Sequence, residues 1–212
     1  MTRDVIQGPT GDFFVPSGPP ETRRICEGLS RLLWEGGEYE HPELPTNIAT
    51  VLDIGGGWGA FAVWARKRFG ADIELNCYEP HDVGCEFIRA NDPKASVYEV
   101  AVTSQPTARL LVGEDWGGSS THFNCGDGKP VAVIHPSALP ACDFLKIDAE
   151  GVEAEVLIAY PIHETKAVAY EWHTPDLRSE CANICASNGM RCLVDRDGPW
   201  GPGNGVAIWV PA

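Results

Sequence analysis

The chain has 212 residues and a mass near 22.9 kDa, with 16 Lys and Arg against 30 Asp and Glu, a formal charge of −14. With 43% hydrophobic and 22% charged residues, it has the composition of one folded domain and not of a disordered chain. No apolar run approaches the roughly 20 residues of a membrane-spanning helix, so no membrane partner is expected, and the acid excess disfavours long nucleic acid.

Residues 1–10 carry Arg3 and Asp4 and no apolar stretch, which leads to the expectation of a cytoplasmic protein. The first fifty residues are rich in Pro and Gly, with one helical stretch over Glu21–Trp34. There Ile25, Leu29, Leu32 and Leu33 share a face, and Gly36-Gly37 ends the helix. Residues 1–48 are therefore expected to form an N-terminal helical cap, and residues 49–212 the main domain. From Ala49 strands and helices alternate. Thr50–Ile54 is a buried strand, followed by a helix from Trp58 to Phe69. Asp72–Tyr78 is a strand, Asp82–Asn91 a helix and Ser96–Thr103 a third strand. Arg109–Val112 and Val131–Ile134 flank a polar, Gly-rich loop, Asp115–Lys129. Phe144–Asp148, a helix over Val152–Tyr160, Ala167–Trp172 and a helix through Cys185 follow. Gly189–Val194 and Val206–Val210 close the chain as a hairpin. Such alternation implies a doubly wound α/β sheet with its ligands at the C-terminal strand ends.

The eight cysteines contain no CxxC pair. Leu177, Cys181, Ile184 and Cys185 fall at i, i+4, i+7, i+8, the spacing of one apolar helical stripe. The cysteines are therefore expected to be small core hydrophobes, not zinc ligands or disulfides.

Asp53-Ile-Gly55-Gly56-Gly57-Trp58-Gly59 joins a strand to a helix, where the backbone must bend sharply and approach a ligand closely. Glu79, at the end of the next strand, is placed to take ribose hydroxyls. The glycines also satisfy a dinucleotide fingerprint. Asp53 separates the two readings, because a carboxylate before the turn opposes a pyrophosphate and suits a cofactor with a positive centre, S-adenosyl-L-methionine.

At this point the sequence resembles a known family. The glycine turn resembles motif I of class I methyltransferases, and Tyr78-Glu79-Pro80 their acidic second motif. Asp143-Phe-Leu-Lys-Ile-Asp-Ala-Glu-Gly151 with Glu153 resembles the signature of FkbM-type methyltransferases. Ala101–Ser104, Ser119-Ser120 and Glu171-Trp-His173 extend the likeness over about Val51 to His173. The resemblance implies a Rossmann-like sheet of seven strands, mostly parallel with an antiparallel C-terminal strand, and S-adenosylmethionine-dependent O-methylation of sugar or secondary-metabolite hydroxyls. The expected cofactor-binding residues are Asp53, Gly55, Gly56, Gly57, Trp58, Gly59, Glu79, Pro80 and Ala101.

A hydroxyl acceptor needs a base or a metal ion to take its proton. The candidates are Lys146, Asp148, Glu171 and His173, at strand ends that face the cofactor. Lys146 and Asp148 share a strand face, and charged groups in an otherwise apolar central strand are costly unless they serve something. Glu150, Glu153 and Glu155 are accounted for by the dipole of the following helix. Asp148, Glu171 and His173 are also a ligand set for Mg²⁺ or Mn²⁺. Gly117–His122 is a candidate lid, and Trp116, Trp172 and Trp200 are candidates to stack on an acceptor ring. The expected acceptor is a small-molecule or carbohydrate hydroxyl. The competing readings are a nucleotide, RNA-end or protein acceptor (favoured only by a basic patch at Arg23, Arg24, Arg66 and Lys67), a cofactor-binding domain without turnover, and an NAD-dependent oxidoreductase. Assembly as a homodimer stays open.

Overall fold

The computed structural model describes residues 3–8, 11–17, 38–111, 120–122, 128–198 and 203–212. The expected helix over Glu21–Trp34, with Arg23 and Arg24, lies outside them, as do Trp116, Trp200 and most of the Asp115–Lys129 loop.

A hairpin begins the chain: β1 (Arg3–Gly8) pairs antiparallel with β2 (Gly11–Pro16). The Pro and Gly content of this region had pointed away from strands. The period-two set Ile6, Phe13 and Val15 is nevertheless buried against the main core, and Asn91 clamps Phe14 through its backbone N–H and carbonyl at 2.7 and 2.9 Å. The central elements follow: β3 (Thr50–Ile54), α1 (Ala60–Phe69), β4 (Glu74–Tyr78), α2 (Asp82–Asn91) and β5 (Ser96–Tyr98). The expected third strand breaks after Tyr98. β6 (Ala101–Val102) leaves the sheet and pairs in parallel with β10 (Val133–Ile134). Beside them β7 (Ala108–Leu111) is flanked by β8 (Ser120–His122) and β9 (Lys129–Val131), so three residues of the expected lid belong to a small antiparallel sheet. The second half consists of β11 (Phe144–Ile147), α3 (Glu153–Ala159), β12 (Ala167–Trp172), α4 (Pro175–Ser187), β13 (Met190–Asp197) and β14 (Gly205–Pro211).

The main sheet has seven strands in the order β13-β14-β12-β11-β3-β4-β5. All pairings from β12 to β5 are parallel, and only the C-terminal β14 runs against its neighbours, inserted between β12 and β13. Alternation along β11 divides the core in two. Phe144 joins Val51, Phe61 and Trp64 on the α1 and α2 side, whereas Leu145 and Ile147 join Val156, Leu157, Cys181 and Cys185 on the α3 and α4 side. Cys77, Cys85, Cys142, Cys181 and Cys185 are buried free thiols, and burial pushes Cys142 up to about 11 and Cys185 to about 12, as expected of core hydrophobes. Trp172 is buried beneath Arg178, 4.6 Å over its ring, and is not free to stack on an acceptor. Arg66, from the suggested basic patch, is instead tied to Asp92 at 2.7 Å. No described helix is long and apolar enough to cross a membrane.

Phe144 touches the aromatic group of α1, with ring centroids 5.9 Å from Phe61, 6.3 Å from Trp64 and 5.5 Å from Phe69. Phe144→Ala leaves a cavity at the centre of the sheet and is expected to lower the unfolding free energy by about 3–5 kcal/mol in urea titrations. A loss under about 1 kcal/mol would place the centre of the core elsewhere.

Candidate functional site

The turn after β3 is shaped by two demands on its glycines. Gly55 has φ +75° and lies so close to the end of β11 that a Cβ there would sit 1.7 Å from the Asp148 carbonyl oxygen. Gly57 has φ +53° and none of the described residues within 4 Å of a Cβ position. Gly55 and Gly56 donate their N–H groups to the Tyr78 carbonyl, and Gly57 donates to Glu79 Oε2 at 2.8 Å. Glu79 Oε1 accepts from the His81 N–H at 2.8 Å. The acid after β4 therefore fixes the turn from the neighbouring strand.

These residues form one wall of an open cleft with about 630 Å³ of space including its mouth. Gly55, Gly57, Glu79, Pro80 and Ala101, all expected at the cofactor, line it. So do Tyr78, Val100, Val102, Asp148, Ala149, Glu150 and Val152. The remaining expected cofactor residues sit behind this surface. Gly56 and Gly59 close the turn with a 2.9 Å backbone hydrogen bond, and Trp58 packs on the core. Asp53 is fully buried, with an oxygen 3.1 Å from Lys146 Nζ, so it supports the turn from beneath and does not line the cleft.

Lys146, a catalytic candidate in the sequence, is buried as well. Its ammonium donates to the Gly55 carbonyl at 2.6 Å and lies 3.7 Å from Asp148 Oδ2. Burial alone would lower its pKa, and the carboxylates of Asp53 and Asp148 outweigh that and hold it above its ordinary value. It is a fixed cation that joins the glycine turn to the strand ends. Asp148 shows the converse: burial favours its neutral form, but Lys146 and then His173 hold it below the ordinary carboxylate range.

His173, just past β12, places Nε2 3.4 Å from Asp148 Oδ1, 3.9 Å from Glu150 Oε2 and 3.9 Å from Glu153 Oε1. Proximity to Asp148 raises the imidazole to about 9 against the effect of burial, so it is cationic at neutral pH in this state and not a ready base. Glu171 departs from the group. Its Oε1 accepts the Tyr39 hydroxyl at 2.6 Å, and burial followed by the charges of Asp148 and Glu38 pushes it up to about 8. Glu38, itself raised by burial and by Asp148, and Tyr39 had no signal in the sequence, because they come from a stretch without periodicity.

Glu150 and Glu153 carry more of the site than a helix dipole requires. Glu153 is fully buried, and its carboxylate accepts the N–H of Ala149 at 2.9 Å and of Gly151 at 3.0 Å. It thereby fixes a loop in which Glu150 has φ +56°, a left-handed conformation that costs a non-glycine residue about 1 kcal/mol or more.

No protein-family model matches the sequence, and no curated protein matches it. Solved structures do share the fold. A methyltransferase FkbM from Methylobacillus flagellatus KT superposes with TM-score 0.59 at 13% identity over 86% of this chain and 47% of that one, so the chain spans about half of that protein. A precorrin-6y C5,15-methyltransferase from Geobacter metallireducens GS-15 gives 0.51 at 14% identity over 88% and 86% of the two chains. A ribosomal protein L11 methylase from Lactobacillus delbrueckii subsp. bulgaricus gives 0.50 at 16% over 93% and 82%. The sheet order and these likenesses establish the Rossmann-like class I methyltransferase fold.

Burial pushes Glu79 up to about 7, although its two backbone donors favour the ionised form. Its folded pKa lies above the ordinary value of 4.5, so the folded chain binds the extra proton between the two values. The resulting stability is complete below the lower value and lost as pH rises through the upper one. Glu79→Gln removes this titration. The stability advantage of wild type over Glu79→Gln in thermal unfolding is expected to shrink between about pH 5 and about pH 8. A difference independent of pH would mean that Glu79 titrates in the ordinary range.

Proposed function

We propose that the protein is an S-adenosyl-L-methionine-dependent methyltransferase that acts on a hydroxyl of a sugar or small secondary-metabolite acceptor. The observation that carries this reading is the charge of the cleft. Glu79, Asp148 and Glu150 all line it, and its described lining residues include no lysine or arginine. A pyrophosphate would meet three acidic side chains there, Glu79 only partly ionised near neutral pH, whereas a sulfonium and an ammonium would meet complementary charge. The strand–turn–helix context and the methyltransferase fold support the same cofactor.

In this reading Glu79 takes the ribose hydroxyls, while the backbone of Gly55 to Gly57 and Ala101 shapes the cofactor's seat. When bound, the cofactor supplies a methyl group on a good leaving group. What remains for the chain is to hold the acceptor oxygen in line. Asp148, held ionised between Lys146 and His173, is placed to accept the acceptor's hydroxyl hydrogen and fix its direction. Glu171, pushed up to about 8 by burial, becomes the stronger proton acceptor of the two only once pH rises far enough to ionise it. Asp148 as an acceptor of a hydroxyl hydrogen supports oxygen as the target.

Calorimetric titration with S-adenosylhomocysteine tests the cofactor. Binding is expected in wild type, and Glu79→Ala is expected to weaken it by about ten- to hundred-fold, the worth of hydrogen bonds to a charged group. Absence of binding at high micromolar ligand would overturn the reading. For the acceptor, Asp148→Asn is expected to lower turnover far more than S-adenosylhomocysteine affinity, and equal losses would make Asp148 a cofactor residue only.

A further inference from the structure

The strand ends carry a cluster that methyl transfer does not by itself require. One oxygen each of Asp148 and Glu150 and Nε2 of His173 all lie within 4.8 Å of one another. The His173 nitrogen is 3.4 Å from Asp148 and 3.9 Å from Glu150, is enclosed by protein and makes no hydrogen bond of good geometry among the described residues. Ligands of an octahedral ion at about 2.1 Å lie about 3 Å apart when adjacent and about 4.2 Å apart when opposite. The two separations from His173, 3.4 and 3.9 Å, exceed that of adjacent ligands by less than 1 Å.

The supports are rigid. Asp148 directly follows β11 and His173 directly follows β12, adjacent parallel strands. Glu150 sits on the loop that buried Glu153 holds through the N–H groups of Ala149 and Gly151, an outer-shell contact of the kind that orients metal ligands. Glu171, the third ligand suggested by the sequence, is engaged by Tyr39, and Glu150 takes its place. Two carboxylates and one imidazole, with the Glu153 carboxylate also 3.9 Å from the imidazole Nε2, provide hard ligands and excess negative charge.

We propose that Asp148, Glu150 and His173 form a binding site for an oxygen-preferring divalent cation, Mg²⁺ or Mn²⁺, at the edge of the cofactor cleft. Two of the ligands line that cleft, so the cation's open positions face the place where an acceptor hydroxyl would come. There it would favour the deprotonated oxygen as a Lewis acid. That role rests on the methyl-transfer reading, whereas the site itself does not.

Metal-stripped protein, without cofactor, is titrated with Mn²⁺ while the electron paramagnetic resonance signal of free Mn²⁺ is followed. Wild type is expected to take up one Mn²⁺ per chain and to release it to excess Mg²⁺. Glu150→Gln and His173→Asn are each expected to weaken uptake by at least about tenfold, whereas Glu180→Gln, exposed on α4, leaves it unchanged. No uptake by wild type, or uptake that survives both substitutions, overturns the proposal and leaves the cluster as an imidazole–carboxylate ion pair. If either variant fails to fold, Mn²⁺ broadening of the His173 imidazole resonances in wild type decides the matter, and unbroadened resonances overturn it. Calorimetry with S-adenosylhomocysteine on the same preparation separates the two claims. Mn²⁺ uptake without cofactor binding removes the methyltransferase reading alone, and the reverse removes the metal site alone.

Discussion

The arrangement depends on one buried cation. Lys146 lies in the centre of the sheet, and an ammonium at that depth is tolerated only where charge and hydrogen bonds surround it. Asp53 on the neighbouring strand, Asp148 two residues on and the carbonyl of Gly55 provide them. Each contact constrains a different part of the site. The Asp53 pair locks β3 to β11 in register, the Gly55 contact fixes the first bend of the cofactor turn, and the Asp148 contact holds an acceptor-side carboxylate ionised. Loss of both acids would leave an uncompensated buried charge, which in proteins costs about 3–5 kcal/mol. Cofactor seat and acceptor side are thus one electrostatic unit, although they come from strands far apart in sequence.

The loops around the cleft follow the same logic with backbone donors in place of a cation. Glu79 and Glu153 are both buried, and both spend their carboxylates on N–H groups of irregular loops: Gly57 and His81 for the first, Ala149 and Gly151 for the second. These N–H groups lie outside the regular ladders of the sheet and take the two carboxylates as their acceptors. Acids that a sequence reading assigns to ligand contact or to a helix dipole therefore also act as scaffolding.

What the sequence reveals and what it hides divide along range of interaction. β3, the glycine turn and the limits of α2 and β12 are legible because strand burial, turn chemistry and helical spacing are local. Glu79 is legible because its role follows from its place at a strand end. The β1–β2 hairpin is hidden by its Pro and Gly content, since only its burial against α2 makes the Ile6, Phe13 and Val15 alternation meaningful. Asp53 lies in the motif as expected, yet which way its side chain points depends on Lys146, which pairs with it from more than ninety positions away. Similarly, whether Glu150 or Glu171 faces His173 depends on Tyr39 reaching Glu171 across the fold, a contact without any local signature.

The acid excess itself is redistributed by these contacts. Of the acids at the strand ends, Asp53 is balanced by Lys146, and Glu171, pushed to about 8, holds a proton at neutral pH beside the Tyr39 hydroxyl. Glu79, at about 7, is poised between its two forms, while Asp148 stays ionised. Neighbouring carboxyls whose environments drive their proton affinities apart are the means by which one site supplies both a fixed charge and a proton acceptor. The formal charge of the chain overstates what a ligand would meet. The field in the cleft is set by Asp148 and Glu150, with Glu79 able to add its charge when a ligand or a rise in pH removes its proton.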